Sequence, residues 1–75
     1  MAAPRDRKAL RRLGERVREL REARGITQEA LAFDAGIHVN HLSTIERGEA
    51  NPSFLVLVRI ARAVAANVSD LLRGF

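Results

Sequence analysis

Apolar residues along the first third of the chain return at helical intervals. Leu10, Leu13, Val17 and Leu20 are spaced 3, 4 and 3 apart, the signature of one buried helix face, and predict a helix from about Ala9 to Ala23. Gly14 lies inside it at a cost of up to about 1 kcal/mol relative to alanine, and Gly25 supplies a C-terminal stop. Thr27 is a suitable N-cap for a second helix, Gln28 to Ala35, with Leu31, Ala32 and Ala35 facing inward. Gly36 and Ile37 then turn the chain, and His38 caps a third helix from Val39 to about Arg47 that stops at Gly48. On this helix Leu42 and Ile45 point into a core, while Asn40, Ser43, Thr44 and Arg47 share the opposite face. All four can hydrogen-bond base edges or phosphates, so the polar face is a candidate recognition surface as well as an ordinary solvated one.

Asn51-Pro52-Ser53 reads as a start signal with proline in the first turn. It opens a fourth helix to about Ala65, with Phe54, Leu57, Ile60, Ala61 and Val64 at core spacing. Leu55, Val56 and Val58 are more apolar residues than one stripe can hold. After a break at Ala66-Asn67, Ser69 is placed to cap a short last helix, Asp70 to Arg73, with Leu71 inward and Leu72 and Phe75 outside. Unexplained apolar surface tends to mark an interface, so Leu55, Leu72 and Phe75 predict a homodimer contact. Residues 1–8 show no apolar period and contain Pro4, which predicts a mobile basic arm ahead of a domain over 9–75. No strand alternation or internal repeat is present, and the fold class is all-α with five helices.

Composition narrows the function. Seventy-five residues make one small domain. With 47% hydrophobic but only 4% aromatic residues, its core is aliphatic, and without cysteine it has neither disulfides nor thiolate metal sites. No apolar run approaches the roughly 20 residues that cross a bilayer, and no signal peptide is visible, which predicts a cytoplasmic protein. Net charge is +4, unevenly spread: residues 1–25 hold nine basic and four acidic residues, a net of +5, and the other fifty sum to −1. A basic segment favours nucleic acid. Catalysis has no foothold, since no nucleophile has an identifiable base and no carboxylate pair or phosphate loop occurs. His38 and His41 lack the third ligand that zinc needs. No cofactor or small-molecule ligand is indicated.

The stretch Gln28 to Arg47, QEALAFDAGIHVNHLSTIER, resembles the helix-turn-helix of the phage-repressor and Cro-like (XRE-type) transcription regulators. Gln28 opens the first helix, Ala32 lets the helices cross, Gly36 makes the turn, Leu42 and Ile45 anchor the second helix, and Ile-Glu-Arg-Gly closes it at Gly48. The resemblance extends from about Leu13 to Leu72. It implies a lambda-repressor-like five-helix domain that binds double-stranded DNA as a dimer on a near-palindromic operator. Carried over by motif position, Val39, Asn40, Ser43 and Thr44 read bases, with Val39 departing from the polar residue often found there. Thr27, Gln28, Arg47 and Asn51 hold the sugar-phosphate backbone, and Arg21 pairs with Glu46. His38 and His41 are flanking positions, suited to phosphate contact or helix capping. Among such regulators the chain is most similar to restriction–modification controller proteins. The competing reading is an antitoxin-like protein-interaction module with secondary DNA binding.

Overall fold

Pro4 opens the first helix. The computed structural model describes residues 3–75, and α1 runs over Pro4–Ala23. That start is five residues earlier than apolar spacing predicts. Proline at a first helical position needs no N–H and brings a helical φ, and Asp6 sits in the first turn against the free amides. The expected mobile arm over 1–8 is therefore corrected for residues 4–8, which are helical; Met1 and Ala2 lie outside the described residues.

Next come α2 (Gln28–Ala35) and α3 (Val39–Glu46). Gly36 joins them at φ +69°, a left-handed backbone that side chains resist. There the N–H groups of Gly36 and Ile37 donate to the carbonyls of Phe33 and Ala32 and close α2. The fourth helix, α4, spans Phe54–Ala63 with Ser53 as N-cap, its Oγ accepting from the Val56 N–H at 3.2 Å. Pro52 thus precedes the helix and is buried, instead of occupying its first turn. The helix stops two residues short of Ala65, because Ala65 takes a left-handed φ of +55°. The N–H groups of Ala65 and Ala66 then return to the carbonyls of Arg62 and Ala61. The last helix, α5, spans Val68–Leu71. Its cap is Asn67 and not Ser69, since Asp70 Oδ2 accepts from the Asn67 N–H at 2.9 Å.

Every helix sends a fully buried side chain to one core: Val17, Leu31, Leu42 with Ile45, Ile60, and Leu71. Burying each of these is worth about 1.5–3 kcal/mol. Phe54 does not join them and is 67% exposed; the core contacts of α4 begin with Val56 and Leu57. Val56 packs partly on the core, so it is not spare surface. Arg16 ties α5 to α1 with a fork, Nε at 3.0 Å and Nη2 at 2.8 Å from the Asp70 carbonyl. Among the described residues no helix is long and apolar enough to cross a membrane.

Candidate nucleic-acid interface

The polar side of α3 is open at Asn40 and Arg47 and half-covered between them. Asn40 is exposed and its side-chain amide has no partner among the described residues. Ser43 and Thr44 are half-buried, and the Thr44 hydroxyl donates to the His41 carbonyl at 2.7 Å. Arg47, the C-cap of α3, lies back along the helix. Its Nη1 donates to Ser43 Oγ, and its Nε reaches Glu49 Oε1 at 3.1 Å. Val39 is half-buried and partly packed on the core, so only part of its side chain faces outward. His41 is half-buried. His38 caps α3, with Nδ1 accepting from the Asn40 N–H at 3.0 Å.

The start of α2 flanks this face on one side. Thr27 Oγ1 accepts from the Ala30 N–H at 3.0 Å and keeps its own O–H free to donate. Gln28 Nε2 donates to Glu46 Oε1 at 2.9 Å, which leaves a second amide hydrogen. Asn51 is exposed in the loop between α3 and α4.

A buried ion pair joins α1 to the end of α3. Arg21 and Glu46 are only 9% and 8% exposed. They meet in a two-pronged bond, Nε to Oε2 at 2.7 Å and Nη2 to Oε1 at 3.1 Å. The third guanidinium nitrogen donates to the Ile26 carbonyl at 2.9 Å, and Arg18 Nε lies 4.0 Å from Glu46 Oε1. No buried side-chain polar atom among the described residues is left without a partner. The bond to Glu46 raises the Arg21 pKa above its ordinary value against burial, which lowers it. The charge therefore persists until pH rises past the arginine range. Desolvating two charges is favourable only when the remaining donors and acceptors are satisfied, and Ile26 and Gln28 supply that here. The network connects α1, the start of α2 and the end of α3.

Two glycines set how closely α1 approaches α3, and neither was legible as a site residue. A Cβ on Gly14 would lie 2.6 Å from the Glu46 carbonyl oxygen and closer still to that of Ile45. A Cβ on Gly48 would lie 2.7 Å from Arg11 Cα, and Gly48 also has φ +75°. The available signal was a glycine inside a helical pattern, which often marks close backbone approach. Leu55, Leu72 and Phe75 are 65%, 43% and 60% exposed, and Phe33 is 84% exposed. Phe33 borders an open cleft of about 460 Å³ lined also by Asp34, Gly36, Arg59 and Arg62.

Residues 17–71 match the family model described as helix-turn-helix. The chain is 44% identical over 63 residues to the HTH-type transcriptional regulator DdrOP3 of Deinococcus deserti, covering 84% of this chain and 49% of the relative. It thus spans about half the length of that regulator. It is 37% identical over 60 residues to the control protein C.BamHI of Bacillus amyloliquefaciens, covering 79% and 74% of the two chains. The crystal structure of the restriction-modification controller protein C.AhdI from Aeromonas hydrophila superposes with a TM-score of 0.81 at 37% identity, over 83% of this chain and 94% of that one. With a polar helix face open at Asn40 beside a buried ion pair, and the family match spanning the last seven residues of α1 and all of α2 to α5, the chain belongs to the helix-turn-helix family of Cro/C1-type transcription regulators.

Proposed function

We propose that this chain binds specific duplex DNA as a symmetric dimer, on a near-palindromic operator with half-sites about one helical turn (~34 Å) apart. The observation that carries the reading is the polar side of α3, open at its leading end, where the Asn40 amide is unengaged. Asn40 is the residue suited to a two-bonded adenine contact, while Ser43 and Thr44 accept several bases and Val39 can touch a thymine methyl. Thr27, Gln28, Arg47 and Asn51 hold phosphates on either side and set register without reading sequence; His38 and His41 lie at the edge of the same face. Leu55, Leu72 and Phe75 form the contact with the second copy, supported by their exposure. A cytoplasmic site of action follows from the DNA partner, and the similarity to C.BamHI and C.AhdI favours a controller-type regulator.

Selecting bound duplexes from a random pool tests this reading. The expected result is one enriched motif with two-fold symmetry. Asn40→Ala then loses discrimination at one base pair per half-site, by about 1–3 kcal/mol, whereas Gln28→Ala weakens all duplexes alike. A pool that shows no enrichment would rule out sequence-specific binding.

A further inference from the structure

The reading face carries almost no positive field. Residues 39–53 hold Arg47 against Glu46 and Glu49. Residues 13–75 hold eight basic and eight acidic residues and sum to zero. The whole net charge of +4 comes from residues 4–12, where Arg5, Arg7, Lys8, Arg11 and Arg12 face Asp6 alone. The net attraction to a polyanion is therefore concentrated in the first turns of α1.

Those turns are helical and stand clear of the core. Residues 4–9 and Arg11 are exposed. Arg5, Lys8 and Arg11 recur every third residue, with no hydrogen bond or ion pair among the described residues. Arg12 is held back by the Arg73 carbonyl at 3.3 Å and by Glu19 at 3.8 Å. Their placement follows from how α1 crosses the site. Arg21 stands beside Gln28, on one flank of the reading face. Gly14 lies on the end of α3, and Arg11 is packed on Gly48, just past that end and three residues before Asn51. Beyond Arg11 the helix continues for seven residues, about 10 Å at 1.5 Å per residue, past its contact with Gly48.

We propose that the first turns of α1 are a second DNA contact, a rigid basic strut in which Arg5, Lys8 and Arg11 grip phosphates outside the base pairs read by α3. It rests on duplex DNA being the ligand of the α3 face. The strut supplies affinity and salt sensitivity without sequence information. A lipid surface suits it poorly, because a membrane-bound helix needs an apolar face and residues 4–9 contain only Pro4 and Ala9 as uncharged side chains.

The test is a fluorescence-anisotropy salt titration of the full chain on its selected duplex, comparing the unaltered protein with R5Q/K8Q and R5Q/K8Q/R11Q. The double variant changes only side chains that are exposed, so loss of folding cannot obscure its result. Each lost phosphate contact should flatten the slope of log K against log salt by about 0.9, giving about 1.8 and about 2.7 per protomer for the two variants, and about twice that for a bound dimer, with base preference unchanged. Trimming the duplex flanks should weaken the unaltered chain and leave the triple variant indifferent. An unchanged slope in a chain that still selects its sequence overturns the strut alone, as does capture by phosphatidylglycerol vesicles that needs Arg5 and Lys8 without any change on DNA. No duplex binding by the unaltered chain overturns the strut together with the DNA reading.

Discussion

Glu46→Ala is expected to cost about 3–5 kcal/mol of folding stability, because it strands a buried guanidinium without its counter-charge. Arg21 is only 9% exposed and directs two of its nitrogens at that carboxylate. A domain of this size has a total stability on the order of 5–15 kcal/mol, so the loss should be visible as partial unfolding in a urea titration. Removing both charges should behave differently. Arg21→Met with Glu46→Leu fills similar volume with apolar groups, and such exchanges are often neutral or stabilising. That double variant should fold yet bind its operator more weakly, since Gln28 loses its acceptor and the end of α3 loses its brace. Recovery of stability together with full DNA affinity would reduce the pair to a folding element with no part in aiming α3. Because the Arg21 pKa is raised, its charge, and the stability that depends on it, is lost only as pH climbs beyond the arginine range. Acidification does not discharge it.

Gly14→Ala is the second large effect, and here two contributions oppose each other. In an isolated helix the change would gain up to about 1 kcal/mol. In this fold the new methyl meets the carbonyls of Ile45 and Glu46, with the Glu46 oxygen at 2.6 Å. Both are backbone atoms with no rotamer to move into. Forced overpacking of this sort typically costs 1–3 kcal/mol, and a clash with backbone belongs at the upper end. A net loss of about 2 kcal/mol is expected, lowering the melting midpoint by roughly 10 °C for a domain of this length. Differential scanning calorimetry reads it directly. An unchanged or higher midpoint would mean that α1 and α3 are not in contact as described.

The sequence was most legible where period and cap agree. Leu31, Ala32 and Ala35 face inward behind the Thr27 cap, Gly36 turns left-handed, and Leu42 and Ile45 oppose the polar face of α3. It was least legible where a local signal was outweighed by one not weighed. Apolar spacing begins at Leu10, but Pro4 and Asp6 start a helix without any buried residue to announce it. Phe54 fits the period of α4 and still lies outside, because period gives direction and not whether a neighbour reaches that turn. Ser69 is a good cap residue, yet the reciprocal bond of Asn67 and Asp70 sets the boundary two residues earlier. Among site residues, the chain shows which groups share a face of α3 but not what already occupies them. Gln28 bonded to Glu46, and Arg47 drawn toward Ser43 and Glu49, are tertiary facts. By propensity Gly14 is a weakness of α1, whereas in the fold it lets the end of α3 sit against that helix.

Duplex DNA is expected to meet the polar side of α3. Titrating the isotope-labelled protein with its selected duplex and following backbone and side-chain amide resonances examines this residue by residue. The largest shifts should fall on Thr27, Gln28, Asn40, Ser43, Thr44, Arg47 and Asn51, with the Asn40 side-chain amide moving most. Shifts gathered around Phe33, Arg59 and Arg62, with Asn40 and Ser43 undisturbed, would contradict it.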